Sequence, residues 1–545
     1  MSRTHSNRKT ALLGSLAAAT LGVLLVGCAP GASTSTGAGS SDTPVVGGTL
    51  TYLDPVAPTC FYAGGSGQYS VGGVLNSLTD KLTYQNPDTL EIEPWLAESW
   101  EINDTATEFT FHLKDGVTFS DDTVLDATVV AKNFDAYGLG SEELGLAIQE
   151  QINNYASSEV IDPLTVKFTF SQPSPGFLQA TSVIGSGIVA LSTIELPYEE
   201  QCQLENQVGS GPFTVSNQVI DQEIDLVARE DYAWAPASSE NQGRPYLDEI
   251  KVLVTAEDSV RIGALTSGQA DYVRTVQAFD ETTVTAAGYS IYAPAARGVN
   301  RGLYFRPTNS ILSDITVRKA LMAGTDAKSL VETVLSPSYA QATSILSATA
   351  PGYVDLSDKL VYDVDLANEL LDDAGWVAGS NGFRSKDGVP LEFTVHVSPN
   401  YSLSQQVQEF IAQQWTDIGV KLNIRTVDAA TATIERKDPE LIGIIENTLG
   451  RADQDVLKSQ FSQSNRNNLL SGDDVLDGLL VDVASTADAD ARNAEAAAVQ
   501  EYLLDNAYGI PLFEQPEVFG AAEYVEGIAF EAVGRPSFYN VWLNK

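Results

Sequence analysis

Residues 93–135 read EPWLAESWEINDTATEFTFHLKDGVTFSDDTVLDATVVAKNFD, and this stretch indicates the fold more clearly than any other. Apolar and polar side chains alternate over residues 109–113, with the period of a half-buried β-strand. Asp115-Gly116 predicts a turn, because glycine tolerates positive φ, and residues 117–119 resume the strand pattern. Asp126 is a suitable N-cap for a helix whose apolar residues repeat at helical spacing. A hairpin that leads into a helix indicates α/β architecture, and this pattern alone says nothing about function.

The same stretch resembles the signature region of the large extracytoplasmic substrate-binding proteins of bacterial ABC importers. This class, solute-binding protein family 5, contains oligopeptide-, dipeptide- and nickel-binding proteins. Residues 94–100 match the family's P-x-L-A-E-S-W segment, and residues 111–119 match its F-x-L-K-x-G-V-x-F strand. Asp122 stands where the family usually has glycine, and Thr128 stands where it often has aspartate.

Other segments along the chain resemble the same family. They are residues 208–213, 229–234, 259–271, 314–321, 407–424 and 510–513. Phe305-Arg306 departs from the family's usual Phe-Asn. The resemblance implies an α/β, two-lobed periplasmic-binding-protein-like fold of the large type II class, with an extra domain inserted in the first lobe. A body of about 500 residues is in any case too long for one hydrophobic core.

The resemblance also implies how the chain is divided. We expect a lipoprotein signal peptide at residues 1–27, a flexible tether at 28–46, a first lobe at 47–81, 202–296 and 514–545, an inserted small domain at 82–201, and a second lobe at 297–513. Solutes would lie between the lobes, where both contribute contacts. Trp95, Trp100 and the phenylalanines of residues 109–119 belong to the inserted domain, so we predict that they are core residues.

Local chemistry predicts several element boundaries. Residues 47–53 have the composition of the first strand. Asp314 and Asp363 precede apolar repeats of helical spacing and can cap those helices. Gly375 and Gly419 follow helical patterns at the position where a left-handed residue ends a helix.

The N-terminal residues predict export and lipid attachment. Arg3, Arg8 and Lys9 precede an apolar run at residues 11–26, which is too short and too rich in Ala and Gly to favour a membrane span. The end of this run resembles a lipoprotein cleavage box, which implies cleavage before Cys28 and attachment of a diacylglycerol to its sulfur. An ordinary secretory signal is the alternative. Two acyl chains would anchor the protein to the outer face of the cytoplasmic membrane.

The net charge of the chain bears on which kinds of molecule it can bind. The chain has 31 Lys and Arg against 72 Asp and Glu, a formal net charge of −41. A surface this acidic argues against nucleic acid, whose phosphates require basic side chains. We expect as partners a small-molecule or peptide solute and the membrane permease subunits of the importer, with the protein acting as a monomer.

The remaining cysteines predict one disulfide. Besides Cys28 the chain contains only Cys60 and Cys202, and an exported protein with two such cysteines favours a bond between them. Two free buried thiols are the alternative.

The sequence lacks the motifs that enzymes commonly use for catalysis. The chain has three histidines and no G-x-S-x-G, P-loop or H-E-x-x-H motif. We therefore expect no catalytic residue, no metal site and no cofactor.

A loop at residues 54–69 is one candidate for solute binding. It is irregular in sequence and contributes Cys60, Phe61, Tyr62 and Tyr69 as candidate ligand-binding residues. In the family the corresponding loop borders the ligand. A surface loop held in place by its own aromatic side chains is the alternative.

Residues 446–455, ENTLGRADQD, are the second candidate and contribute Asn447, Arg451 and Asp453. In peptide-binding relatives this segment carries an aspartate that pairs with the α-amino group of the ligand, and Arg451 aligns near that position. Arginine binds carboxylates and phosphates through two parallel hydrogen bonds, which favours a solute with an anionic group. Pairing of Arg451 with Asp453 or Asp455 is the alternative.

Taken together, the sequence predicts the lipid-anchored substrate-binding component of an ABC importer. It would capture a peptide, a peptide-like compound or another anionic small molecule between two lobes and deliver it to a permease. A secreted hydrolase on the same scaffold and a sensor that presents a solute to a membrane receptor are the alternatives.

Overall fold

The computed structural model describes residues 43–65, 69–399 and 401–545, which fall within one compact unit. The predicted signal peptide, Cys28 and the predicted tether up to residue 42 lie outside the described residues. Within the described residues, no helix has both the length and the apolar composition that a bilayer span requires.

The strands are β1 (Thr49–Asp54), β2 (Thr83–Gln85), β3 (Ile92–Pro94), β4 (Ala97–Ile102), β5 (Glu108–Leu113), β6 (Tyr155–Asp162), β7 (Thr165–Phe170), β8 (Phe213–Val219), β9 (Glu223–Ala228), β10 (Glu249–Val254), β11 (Tyr272–Arg274), β12 (Ser290–Tyr292), β13 (Gly298–Phe305), β14 (Val377–Ala378), β15 (Arg384–Lys386), β16 (Val389–Pro390), β17 (Glu392–His396), β18 (Lys421–Arg425), β19 (Ile444–Gly450), β20 (Gly509–Phe513), β21 (Phe519–Ala521), β22 (Val525–Glu526), β23 (Ala529–Phe530), β24 (Pro536–Ser537) and β25 (Trp542–Leu543). The α-helices are α1 (Tyr69–Leu78), α2 (Ala127–Leu139), α3 (Phe177–Ala180), α4 (Leu191–Ile194), α5 (Tyr198–Gln201), α6 (Asp258–Thr266), α7 (Glu281–Ala286), α8 (Ile315–Ala323), α9 (Ala327–Val334), α10 (Val364–Asp373), α11 (Ser404–Asp417), α12 (Ala429–Glu435), α13 (Val456–Phe461), α14 (Asp474–Ser485) and α15 (Ala489–Asp505).

A mixed seven-stranded sheet is built from three separate parts of the chain. Its strand order is β12-β21-β11-β1-β10-β9-β8. β1 pairs in parallel with both β10 and β11, whereas the other neighbours are antiparallel. β21 comes from the end of the chain and lies between β11 and β12, so the C-terminal segment is held beside elements from much earlier in the sequence.

The stretch at residues 93–135 contains the predicted strand and the predicted capped helix. β5 lies inside an antiparallel sheet of order β4-β5-β7-β6. Its phenylalanines are fully buried, and the ring centroid of Phe111 lies 5.8 Å from that of Phe168 on β7. Asp126 caps α2, because its carboxylate accepts hydrogen bonds from the backbone N–H groups two and three residues later, at 2.8 and 3.0 Å.

Two local predictions are corrected by the structure. Residues 117–119 do not form a strand, since Thr118 makes a single isolated bridge across the following turn. That turn places Asp122 at a φ of 65°, and it is too tight for a longer ladder. The first strand begins at Thr49 rather than at Gly47, because Gly47 and Gly48 both have positive φ angles, which a strand does not accept.

The predicted helix boundaries in the later part of the chain are confirmed. Asp314 and Asp363 each accept a hydrogen bond from a backbone N–H in the first turn of α8 and α10. Gly375 and Gly419 follow α10 and α11 with φ angles of 83° and 77°. Gly419 allows α11 to turn into β18, which pairs in parallel with β17.

β13 forms the centre of a three-stranded antiparallel sheet with β19 and β20, and every one of its residues is buried. Arg301 of β13 donates a hydrogen bond to Glu446 Oε1 of β19 at 2.7 Å. The other carboxylate oxygen of Glu446 accepts hydrogen bonds from Ser404 and Gln408 of α11. The guanidinium group of Arg301 also lies 4.3 Å from the ring centroid of Tyr401. This buried ion pair therefore joins two strands and a helix.

One hydrophobic core contains residues from both predicted lobes. Leu53 of β1 and Val273 of β11 pack in the same cluster as Leu303 of β13 and Phe513 of β20. The two predicted lobes thus share apolar contacts along β13 and β20. The predicted domain boundaries remain a prediction.

Cys60 and Cys202 are joined by a disulfide in the structure, with their Cα atoms 4.1 Å apart. The backbone N–H of Phe61 donates to the carbonyl oxygen of Cys202 at 3.2 Å, so the two segments are also held by the main chain. The loop that the bond closes contains the whole predicted inserted domain.

We predict that replacing both cysteines with serine lowers the free energy of unfolding by about 2–4 kcal/mol, because a long loop is released in the unfolded chain. Urea denaturation followed by circular dichroism measures the change. A titration of free thiols in the native protein is the control. Finding both thiols reactive, together with an unchanged denaturation midpoint in the double variant, would show that the bond is absent.

Candidate functional site

Two adjoining cavities lie among the described residues, and each has the size of a small-molecule site. The first, which we call the arginine cavity, has a volume of about 350 Å³. It is lined by Gly64, Gly65, Tyr69, Gln149, Glu150, Gln151, Gln179, Val183, Ile184, Gly185, Leu449, Gly450, Arg451, Arg466, Val533 and Arg535.

The second cavity, which we call the aromatic cavity, has a volume of about 390 Å³. Its lining residues come from the segments 76–95, 179–183, 212–240 and 527–540. The aromatic residues among them are Tyr84, Trp95, Tyr232, Phe530 and Tyr539. The two cavities share Gln179, Val183, Val533 and Arg535 as lining residues, so they adjoin each other.

The arginine cavity brings together the two loops that the sequence singles out. Tyr69 and Arg451 both line it. A Cβ atom built on Gly450 would lie 4.0 Å from Tyr69 Oη, which shows how closely the two segments approach. Tyr69 Oη donates a hydrogen bond to the carbonyl oxygen of Val533 at 2.7 Å, and burial raises the pKa of Tyr69 to about 12. Tyr69 is therefore a fixed, neutral wall residue.

Arg451 forms ion pairs within the protein. It is 4% exposed, and its Nη1 donates to Asp455 Oδ1 at 2.8 Å and to Ser459 Oγ at 2.7 Å. Its Nη2 lies 3.4 Å from Glu150 Oε1. Pairing with Asp455, one of the two alternatives from the sequence, is thus present in the structure. Contact of Arg451 with an anionic solute remains a prediction.

Glu150 links two arginines across the arginine cavity. Its Oε1 faces Arg451, and its Oε2 lies 3.2 Å from Nε of Arg466. Arg466 is 44% exposed, so its guanidinium group also reaches solvent. Three arginines and one glutamate line this cavity. Its wall is therefore basic, although the chain as a whole is strongly acidic.

Two glutamine side chains add uncommitted polar atoms to the same wall. Among the described residues, no hydrogen-bond donor reaches the buried Oε1 atoms of Gln149 and Gln151. A Cβ atom at Gly185 would lie 2.1 Å from Gln149 Nε2, so only glycine at position 185 leaves room for this amide. Buried polar atoms without partners are costly, and a bound polar solute could satisfy them.

Several predicted binding residues lie elsewhere, and none of them is in the wall of either cavity. Cys60 is consumed in the disulfide, and Phe61 and Tyr62 are each 3% exposed and packed in hydrophobic cores. Asn447 accepts a hydrogen bond from the backbone N–H of the next residue at 2.9 Å. Asp453 accepts from both Nη atoms of Arg492, so its carboxylate is occupied. These five residues are not part of the candidate site formed by the two cavities.

Trp95 requires a further correction. The sequence predicts it as a core residue, but it is only half-buried and lines the aromatic cavity. Trp100 is half-buried and packs against the core formed by Phe111 and its neighbours. No motif marks Lys81, Glu150, Arg466 or Arg535, because the lining residues come from segments far apart in sequence.

A buried carboxylate supports the wall of the aromatic cavity. Asp80 is fully buried, and it accepts hydrogen bonds from Trp234 Nε1 at 2.8 Å and from Tyr232 Oη at 3.2 Å. Burial raises the pKa of Asp80 to about 6, although these hydrogen bonds oppose the shift. Tyr232 in turn lines the cavity.

Comparisons of the sequence and of the structure with known proteins agree with one another. The family model described as bacterial extracellular solute-binding proteins, family 5 (middle region), matches residues 91–468. The glutathione-binding protein GsiB of Shigella flexneri is 25% identical over 433 residues, which cover 78% of this chain and 77% of GsiB.

Solved structures show the same two-lobed periplasmic-binding-protein fold. NikA from Brucella suis in complex with Fe(III)-EDTA has a TM-score of 0.78 and 22% identity, covering 91% of this chain and 100% of NikA. The oligopeptide-binding protein AppA from Bacillus subtilis, in complex with a nonapeptide, has a TM-score of 0.76 and 22% identity, covering 92% of this chain and 100% of AppA. The mixed α/β fold is thereby established.

We predict that Asp80 contributes to stability in acid and that this contribution is lost as the pH rises through about 6. The folded-state pKa lies above the ordinary value of 3.8, so protonation favours the folded state. The free energy of unfolding of the wild type minus that of Asp80→Asn should therefore fall by about 2–3 kcal/mol between pH 4 and pH 7.

Urea denaturation at a series of pH values measures this difference. The amide of Asp80→Asn faces the same two donors at every pH, so its own cost does not change the slope. Asp104→Asn, at an exposed position of the predicted inserted domain, is the control and should leave the slope unchanged. A flat difference for Asp80→Asn would contradict the prediction.

Proposed function

The chain belongs to the bacterial extracellular solute-binding proteins of family 5, and we propose that it is the lipid-anchored component of an ABC importer for an anionic peptide or peptide-like solute. Proteins of this family bind peptides or small solutes for ABC import, and they are binding proteins of transporters rather than enzymes. The proposal adds three features to membership of the family: an anionic solute, the place where it binds and the lipid anchor.

The observation that carries the proposal is the composition of the arginine cavity. Its wall combines Tyr69 from the predicted first lobe with Leu449, Gly450 and Arg451 from the predicted second lobe. A solute held there would touch both lobes, as capture between lobes requires. Of the three arginines in the wall, Arg466 is the most exposed, and guanidinium groups bind carboxylates strongly.

The polar atoms around the arginines favour a peptide-like solute. Gln149 and Gln151 line the same wall, and side-chain amides of this kind can exchange hydrogen bonds with a peptide backbone. Gly64, Gly65 and Gly450 bring backbone rather than side chains to the wall. GsiB binds glutathione, and AppA was solved with a nonapeptide, so relatives of similar fold take peptides of different lengths.

We predict that Arg466→Ala weakens solute binding about tenfold, because a solvent-accessible guanidinium group that faces the solute is removed. Arg466 is a sharper test than Arg451, whose removal would leave Asp455 buried without its partner. Native mass spectrometry of the purified protein first identifies the copurifying solute. Calorimetric titration with that solute then compares the variant with the wild type.

Arg425→Ala is the matched control. Arg425 is also 44% exposed and also pairs with a glutamate, Glu435, but it lines neither cavity. Its removal should leave the affinity unchanged. Equal affinities for the Arg466→Ala protein and the wild type would rule out an anionic solute group at this wall.

We also predict that Cys28→Ser releases the protein from the membrane. The thioether to a diacylglycerol requires the Cys28 sulfur, and the two acyl chains supply the membrane affinity. Cell fractionation should move the variant from the membrane to the soluble fraction, and intact-protein mass spectrometry should show the loss of the diacylglycerol. Cys60 is not a suitable control because it lies in the disulfide, so Ser33→Ala, in the predicted tether, serves instead. An unchanged distribution of Cys28→Ser would refute lipid anchoring.

A further inference from the structure

We propose that the aromatic cavity is a second binding site, which takes an aromatic monocarboxylate and holds its carboxylate group at Lys81. Every described residue that lines this cavity belongs to the predicted first lobe or to the predicted inserted domain. The predicted second lobe, residues 297–513, contributes none of them. The site therefore differs from the one between the lobes, and this inference does not rest on the function proposed above.

Lys81 is a buried lysine without a direct carboxylate contact among the described residues. It is 2% exposed, and its Nζ donates one hydrogen bond, to Asn76 Oδ1 at 2.6 Å. Of the described residues, none places a carboxylate oxygen within 4.0 Å of this Nζ atom. An ammonium group carries three N–H donors, so two of them have no acceptor in this part of the chain.

An isolated buried charge is unfavourable, because it has lost its hydration without gaining a counter-ion. Burial accordingly lowers the pKa of Lys81 below its ordinary value, although Glu531 and Asp80 oppose the shift. The carboxylate of a ligand would supply both the missing charge and the missing acceptors.

The walls around Lys81 suit an aromatic ring. Tyr84 and Trp95 meet edge to face, with ring centroids 6.2 Å apart and an angle of 88° between the ring planes. Lys81 Nζ lies 5.4 Å from the centroid of the Trp95 ring. The indole N–H of Trp95 is buried and has no hydrogen-bond acceptor among the described residues. Flat aromatic walls next to a cation favour a ring that bears an acidic group.

The other charges of the cavity limit the ligand to one anionic group. Glu240 and Glu531 line the cavity together with Lys81 and Arg535, and Arg535 pairs with Glu531 at 3.3 Å. A ligand with two or more negative charges would meet these glutamates. Because Arg535 lines both cavities, an occupant of the aromatic cavity would share that residue with a solute in the arginine cavity.

Calorimetric titration of the full chain with phenylacetate and indole-3-acetate tests the proposal, with phenylacetamide as the neutral comparison. We expect the wild type to bind at least one of the carboxylates and to bind the amide at least tenfold more weakly. Lys81→Met should reduce carboxylate binding at least tenfold, since methionine keeps the length of the side chain and removes its charge.

Lys114→Met is the matched control. The pKa of Lys114 is also lowered by burial, and its Nζ lies 3.4 Å from the carbonyl oxygen of Ala235. It lines neither cavity, so its replacement should leave carboxylate binding unchanged. A thermal melt separates binding from folding, because removing an uncompensated buried charge should leave the melting temperature of Lys81→Met equal to or above that of the wild type.

Three results would overturn the proposal. They are equal binding of phenylacetamide and phenylacetate, carboxylate binding by Lys81→Met as tight as that of the wild type, and no binding of either carboxylate at 10 mM. Arg466→Ala separates this proposal from the function proposed above. That variant should bind phenylacetate like the wild type, whatever it does to the copurifying solute.

Discussion

The buried ion pair between Arg301 and Glu446 is the interaction on which the packing of β13, β19 and α11 depends. β13 is buried along its whole length, so the charge of Arg301 has no access to water and needs a partner inside the protein. Glu446 supplies that partner at 2.7 Å, and two side chains of α11 satisfy its other oxygen. Removing either charge would leave the other buried and uncompensated, which typically costs several kcal/mol.

The strand that carries Glu446 also contributes to the wall of the arginine cavity. Glu446 lies on β19, and the same strand continues to Leu449 and Gly450 in the cavity wall. Leu449 and Gly450 pair with Val299 and Gly298 of β13, so this pairing positions that part of the wall. Arg451 follows directly and is held by Asp455. Leu449 and Gly450 thus extend a strand into the cavity wall, which gives this part of the wall a defined geometry.

Charge is distributed unevenly between surface and interior. The chain carries a formal net charge of −41, yet the arginine cavity is lined by three arginines and one glutamate. Nearby acids serve as internal partners, as Asp453 does for Arg492 and Glu150 does for Arg466. Lys81 departs from this rule, since it is buried without a carboxylate partner among the described residues. A buried cation without a carboxylate contact, next to aromatic walls, indicates the chemistry of a ligand better than the net charge of the chain does.

The sequence by itself determined the family, the α/β class and the local boundaries at Asp126, Asp314 and Asp363. Those features depend on neighbours in the chain, because caps, turns and strand alternation are set within a few residues. It also singled out Tyr69 and Arg451, which the structure brings to one cavity. Only the tertiary structure decided that Asp453 is taken by Arg492, that Trp95 faces a cavity, and that Glu150 meets residues hundreds of positions later. Such contacts depend on how distant segments pack, and no periodicity in the sequence records them.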